Sequence, residues 1–260
     1  MGKSNNNNFG MNFSLAYYKN KGDILNFRLK EDTEINGKRY IEYFKIDGAE
    51  KISLKTVYPG LVIGIGYPHP VSEENNSKDS NNSKDFKLGF YFDHTTGIPV
   101  IPGSTVKGIL KSVFPKEYDK ESVKNKKLSY INEILGRSNI IITENNWERI
   151  FEKGNIFFDA YISSVPKEGE IFADDYICPH LEKLKNPIPI RFLKIAPGVT
   201  FTFQFKLKDT IFENGEKITI NEKLKIFKRI LIDFGIGAKR NVGYGTLMFF
   251  NLKIKDGKRK

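Results

Sequence analysis

Two amphipathic helical patterns, each set between strand-like runs, constrain this chain more than any other feature of its sequence. In the first, Val106, Ile109, Leu110, Val113 and Phe114 recur at i, i+3, i+4, i+7 and i+8; Ser104 stands where an N-cap is wanted, and Pro115 stops the pattern. In the second, Asn221 to Phe234, one side carries Leu224, Phe227, Ile230, Leu231 and Phe234, while Lys223, Lys225, Lys228 and Arg229 fall largely elsewhere. Extended residues from Leu88 lead into the first helix. Asn155 to Ile162 and Val199 to Leu207 read as strands between the helices, and Thr246 to Ile254 as a strand after the second. With insertions set aside the order is βαββαβ, the ferredoxin-like (RRM-like) arrangement of two helices on one face of a four-stranded antiparallel sheet. The expected class is therefore α+β, as a single domain over residues 1–260.

The remaining segments are read around that core. Leu25 to Ser53 is extended, with an Asn36-Gly37 turn that suggests a hairpin, and the continuous apolar run Gly60 to Pro68 reads as a buried strand. Residues 72–85 contain no apolar side chain and are expected to form a disordered insertion loop, and residues 1–10 a disordered start. Residues 116–153 read as a basic, mainly helical insertion. Within it Thr143 is expected to cap a short helix through Trp147, Ile150 and Phe151, with Trp147 as a core anchor. Phe201, Phe203 and Phe205 alternate on one strand face; they fit either a base-stacking platform or, preferably, a face packed under a helix.

Charge narrows the partners. The chain has 42 Lys or Arg against 31 Asp or Glu, for a net charge of +11 and a pI near 9.4, which favours a polyanionic partner. Residues 221–260 hold eleven of the basic residues against Glu222, Asp233 and Asp256, so most of the excess lies in that segment. The single cysteine, Cys178, excludes an internal disulfide, and no apolar run approaches the ~20 residues of a membrane span. The expected location is cytoplasmic, with no membrane partner and no cofactor.

Two segments could hold an anion. Gly235 to Gly245 (GIGAKRNVGYG) joins the second helix to the last strand, and its glycines permit positive φ and convergent amides while Lys239 and Arg240 add charge. A tight turn with solvated basic residues would read the same way. The segment matches neither the dinucleotide GxGxxG, which opens a helix after a strand, nor a P-loop. The start of the first helix, IPGSTVKG, places Lys107 in a first turn whose dipole disfavours cations; Ser104, Thr105, the free amides and Lys107 would suit a phosphate, with Lys111 one turn on. Alternatively Lys107 extends into water.

Other chemistry is thinly signalled. His94, in FDHTTG, is a lone histidine that could contact nucleic acid or act as an acid or base. Asp174, Asp175, Cys178 and His180 (DDYICPH) loosely suggest a metal, but the segment fits an ordered loop better, and no metal is expected. Asp159, alone in an apolar strand, reads as a partner for backbone amides rather than a catalytic group. No catalytic residue is assigned.

GIPVIPGSTVKGILKS together with GIGAKRNVGYG resembles the signature pair of RAMP proteins, the RNA-binding subunits of CRISPR effector complexes. FDHTTGIPVIPGSTVKG, GNIFFDA, DDYICPH and NPIPIRFLKIAPGVTFTF are similar to the sixth subunit of the type III-B (Cmr) effector. The resemblance implies a ferredoxin-like core that holds CRISPR RNA towards the 3′ end of the guide, meeting target RNA only indirectly. Its neighbours would be the backbone RAMP, the small helical subunit and the first Cmr subunit. It implies antiviral defence in which target cleavage belongs to the backbone subunit. By the same resemblance Lys107 contacts RNA, Gly235, Gly237, Lys239, Arg240, Gly243 and Tyr244 belong to the RNA-facing loop, and His94 lies close enough to join them. AKRN stands here where many relatives read AKTN. Two other readings remain: a metal-independent guide-processing endoribonuclease using His94, and an assembly module whose basic surface meets acidic proteins.

Overall fold

The computed structural model describes residues 29, 33–35, 38–63, 87–137, 141–152, 154–166, 168–177 and 190–249. The strands and helices that position the site are, in chain order, β1 (Glu50–Thr56), β2 (Lys87–Leu88), β3 (Tyr91–Phe92), β4 (Pro99–Ile101), α1 (Gly103–Ser112), α2 (Glu121–Leu135), β5 (Ile156–Phe157), β6 (Ala160–Ser164), β7 (Phe172–Ile177), β8 (Ile190–Ile195), β9 (Thr200–Lys206), α3 (Ile220–Phe234) and β10 (Leu247–Phe249). The main sheet runs β10-β1-β9-β6-β4-β3, with β5 also paired to β9. Its first four strands carry the βαββαβ connectivity through α1 and α3, so the fold is ferredoxin-like α+β. A second sheet, β2-β8-β7, joins the first through a bridge between Leu61 and Ile195.

Strand β9 forms the centre. Phe201, Phe203 and Phe205 are fully buried beneath the helices, where Phe205 lies 5.6 Å from the Phe227 ring of α3. The opposite face is closed as well. The Gln204 amide donates to Phe44 O at 2.5 Å and accepts from Ile46 N–H at 3.2 Å, while Phe44 stacks on Tyr161 at 5.3 Å. Thr202 completes this polar seam through Ser163 at 2.7 Å and Ser53 at 2.8 Å. Gln204 and Thr202 are tolerated in the interior because each finds a partner, whereas the buried Thr200 hydroxyl at the start of β9 has none among the described residues. The phenylalanines are core and offer no open base-stacking platform.

Helix α3 starts at a capping box, with Thr219 and Glu222 bonding each other's backbone N–H. Its buried stripe is Ile226, Phe227, Ile230 and Leu231, while Phe234 is 42% exposed, outside the expected face. Lys223, expected with the other basic residues off the apolar side, lies on the buried stripe instead. It is fully buried, and its ammonium donates to Lys208 O at 2.6 Å and Asn155 Oδ1 at 3.2 Å. Its register on the buried stripe outweighs its charge because a carbonyl and an amide oxygen receive that charge.

Other expectations are corrected. The helix-initiating position before α1 belongs to Pro102, and Ser104 lies exposed in the first turn with no cap bond. Asp174 and Asp175 sit within β7, held by the β8 ladder, not in a loop; Cys178 and His180 lie outside the described residues. The apolar run from Gly60 is described as far as Ile63 and is a buried extended segment with one bridge, not a strand, because Ile63 N–H turns to Gly89 O at 2.5 Å. Glu34–Ile35 and Lys38–Arg39 do pair around the Asn36-Gly37 position, but a short helix, Tyr40–Phe44, follows directly. Trp147 is buried on a 3-10 turn, where Asn146 rather than Thr143 supplies the side chain, accepting from Thr143 N–H at 2.8 Å. The expected disordered stretches 1–10 and 72–85 lie outside the described residues, as does the chain beyond Phe249.

Candidate nucleic-acid interface

The two candidate anion segments lie at opposite ends of the main sheet. Thr200 of β9 is level with Lys55 and Ser164, and Phe205 with Glu50 and Phe157. Gly103, at the start of α1, packs against Phe157 and so belongs to the Phe205 end. Leu247 pairs with Thr56, which puts the preceding glycine loop at the Thr200 end. Five strand steps of ~3.3 Å separate the two, on the order of 17 Å.

At the Phe205 end the helix terminus already holds an anion. Asp159 Oδ1 accepts the Gly103 N–H at 2.7 Å, so the carboxylate between β5 and β6 serves the dipole that Lys107 opposes. Lys107 is half-buried with its Nζ 5.5 Å from the Phe157 ring, and Lys111 lies 5.5 Å from the Trp147 ring. Both lysines edge a groove of about 450 Å³ shared with Glu148, Glu152 and Asn155. Thr105 is half-buried in the same first turn.

The glycine loop is built differently. Its framework is internal: Ile236 N–H reaches Gly245 O at 2.9 Å, Ala238 N–H reaches Val62 O at 2.7 Å, and Gly245 N–H reaches Gly60 O at 2.8 Å. Gly245 is required for this approach, since a Cβ there would lie 1.8 Å from Ile236 O at φ +75°. Gly237 likewise faces Val62 O, 2.3 Å from its Cβ position. Tyr244 turns inward and is buried. Its hydroxyl donates to Asp175 Oδ2 at 2.5 Å, and the buried Lys194 meets the same oxygen at 2.5 Å and the Tyr244 ring at 5.3 Å. Partial burial works to raise the Asp175 pKa, but the bonds from Lys194 and Tyr244 outweigh it and hold the carboxyl below the usual range. Burial, then the bond to Asp175, pushes the Tyr244 phenol up. Tyr244 therefore anchors the loop to β7 and β8. This anchor had no signal in the sequence beyond the DDY motif.

The outer turn of the loop is open. Lys239 is the one non-glycine residue of positive φ among those described, at φ 57° and ψ 30°, and it leads into a right-handed 3-10 turn, Arg240–Val242. A left-handed residue followed by a right-handed one directs successive amides to one side, the geometry of an anion-binding nest. The N–H groups of Lys239, Arg240 and Asn241 have no partner among the described residues, whereas those of Val242 and Gly243 close the turn onto Lys239 O and Arg240 O. Lys239 is half-exposed without an ion pair among the described residues, and the exposed Arg240 guanidinium donates to Phe234 O at 3.1 Å, at the end of α3. Gly235, by contrast, is buried and ends the helix.

His94 is exposed in the β3–β4 turn, where Asp93 Oδ1 accepts from Thr95 N–H at 3.1 Å and Thr96 N–H at 2.7 Å. It shares the Thr200 end with the glycine loop, but in strand order the two stand at opposite edges of the sheet. Among the described residues no group of three or more His, Cys, Asp or Glu gathers to hold a metal, and no helix is long and apolar enough to cross a membrane.

The RAMP superfamily model matches residues 53–248, which span the sheet, both core helices and the glycine loop. The chain belongs to the RAMP superfamily. This RAMP protein is 31% identical over 181 residues to the CRISPR system CMR subunit Cmr6 of Saccharolobus solfataricus, covering 65% of the chain and 51% of that relative. The alignment thus spans about half the length of the Cmr6 relative. It is also 27% identical over 169 residues to the CRISPR system Cms endoribonuclease Csm3 of Streptococcus thermophilus, covering 62% and 73%. A structure of the type III-B Cmr-beta complex bound to cognate target RNA contains a similar fold, with TM-score 0.50 and 22% identity, covering 91% of this chain and 72% of that one.

Proposed function

We propose that this RAMP protein is a non-catalytic RNA-holding subunit of a cytoplasmic type III-B (Cmr) CRISPR ribonucleoprotein, placed towards the 3′ end of the guide. Its neighbours are the backbone RAMP, the small helical subunit and the first Cmr subunit, and it meets target RNA only through the guide. One observation carries the reading: three successive amides at Lys239, Arg240 and Asn241, without a partner among the described residues, on a loop that also presents two cations. Amides and guanidinium groups of this kind hold phosphates without reading bases, so sequence specificity comes from base pairing in the guide. Similarity to Cmr6 supports the placement. Lys107 and Lys111 extend the basic track at the opposite end of the sheet.

The test is incubation of the purified chain with labelled repeat-containing RNA in EDTA, with binding and cleavage read in the same samples. Binding without cleavage, steeply weakened by salt, is expected. In Lys239→Ala/Arg240→Ala the slope of log affinity against log salt should fall by roughly 1.4, at ~0.7 per lost contact to a single strand. An unchanged slope removes this loop from the reading. A second reading, a metal-independent guide-processing endoribonuclease, draws on the similarity to the Csm3 relative and on the exposed His94. A discrete cut in EDTA that is lost in His94→Ala would establish it.

A further inference from the structure

The turn that follows β1 carries an aromatic side chain whose position is unexplained by folding. Gly60 N–H closes this turn onto Val57 O at 2.8 Å, and Tyr58 within it is 85% exposed. Burial cannot account for it, and its ring stacks on no aromatic ring among the described residues. Tyr118, also strongly exposed at 79%, differs in carrying Lys116 over its ring at 5.4 Å.

The Tyr58 turn is fixed to the glycine loop along its length. Gly60 O receives Gly245 N–H at 2.8 Å and Val62 O receives Ala238 N–H at 2.7 Å. The Pro59 ring lies 3.3 Å from the Cβ position of Gly243, on the far side of the Arg240–Val242 turn. Tyr58 also stands near enough to Tyr244 to be among the groups that raise its phenol pKa, after burial and Asp175. A turn that carries an exposed ring is thus fixed beside a loop with two cations and with amides that have no partner among the described residues. That is the pairing of charge and aromatic surface that single-stranded nucleic acid requires, since its phosphates and the faces of its bases lie within one nucleotide of each other.

We propose that Tyr58 is a base-stacking residue: a nucleotide of single-stranded RNA whose phosphate rests on the Lys239–Asn241 amides lays its base on the Tyr58 ring. The proposal rests on the RNA-holding reading above and adds the base contact to it. Stacking uses the π-face common to all bases, so Tyr58 strengthens binding without selecting a sequence.

The test uses the full chain and a fluorescein-labelled single-stranded repeat RNA, with affinity read by anisotropy across a salt series for the parent, Tyr58→Ala, Tyr58→Phe and Lys239→Ala/Arg240→Ala. Tyr58→Ala should weaken binding about tenfold with an unchanged salt slope, within the range that loss of one base–aromatic stack produces. Tyr58→Phe should bind like the parent, and the loop pair should flatten the slope instead. Abasic replacements along the RNA should show one position whose penalty vanishes in Tyr58→Ala, the signature of a direct pair. If the loop pair flattens the slope while Tyr58→Ala binds like the parent, the stacking proposal is overturned and the RNA-holding reading stands. If the parent shows no salt-dependent RNA affinity, both fall. Because Tyr58 is exposed, these variants should keep the parent's thermal midpoint, and that midpoint is measured alongside.

Discussion

The two glycine-and-lysine segments look alike in sequence and end in opposite electrostatic states. At Gly103 the chain supplies its own carboxylate, Asp159, to the helix terminus, and nearby it buries the Lys223 ammonium against Lys208 O and Asn155. At Lys239 to Asn241 the amides are directed outward with nothing of the chain's own to receive them among the described residues. Glycine content alone does not make an anion site. What matters is whether the fold brings an internal acceptor to the same amides, and a strand-end aspartate decides that at one end of the sheet only.

The largest expected effect tests the framework of the open end. Gly245→Ala forces a methyl to 1.8 Å from Ile236 O at a left-handed φ, and should cost at least about 3 kcal/mol in urea denaturation. A near-parental midpoint would mean that the loop is not held as described.

The buried cation of the satisfied end should show in the pH dependence of stability. Burial lowers the Lys223 pKa from 10.5 to about 8, with the Asp209 charge opposing. Between those values the unfolded chain binds the proton that the folded chain has lost, so stability rises with pH across that window and is lowest below it. At about 1.4 kcal/mol per pKa unit the part of the gain reached by pH 10 is on the order of 2–3 kcal/mol. Tyr130 and Tyr244, both raised when folded, act in the opposite direction only at higher pH, once the unfolded tyrosines ionise. Denaturation midpoints from pH 7 to 10 should climb in the parent and stay flat in Lys223→Met.

The smallest effect bears on the comparison most directly. Asp159→Ala should cost about 1–2 kcal/mol through loss of the amide partner, and inorganic phosphate should recover part of that loss in the variant but not in the parent. Recovery would show that the carboxylate stands where a phosphate otherwise could. A variant as stable as the parent would remove Asp159 from this role.

Much of the fold could be read from periodicity. Both core helices and the alternation of Phe201, Phe203 and Phe205 on β9 follow from apolar spacing, and so does the βαββαβ order except for its first strand, which is β1 (Glu50–Thr56) and not the extended run from Leu88 that forms β2, β3 and β4. The first core strand was harder to see: EKISLKT buries only Ile52, Leu54 and Thr56 amid charged neighbours, and its place at the centre depends on pairing with β9 and β10. The second sheet escaped for a similar reason, since β7 gains its strand character from the ladder to β8. At the site, glycines and basic residues marked the loop correctly as a distinctive turn, and Asp159 was readable as an amide partner. The inward Tyr244, the buried Lys223 and the exposed Tyr58 were not, because each is set by a contact between segments far apart in sequence.

The Tyr244 anchor has a consequence for how the loop meets a ligand. With Asp175 and Lys194 gripping its base and Gly60 and Val62 bracing its sides, the turn acquires its shape during folding, before any ligand arrives. Little configurational entropy remains to be lost on capture, so association should proceed by simple docking rather than by coupled folding, and the ligand should leave a loop that keeps its form. A chain built this way can release and recapture its ligand repeatedly without refolding its grip each time.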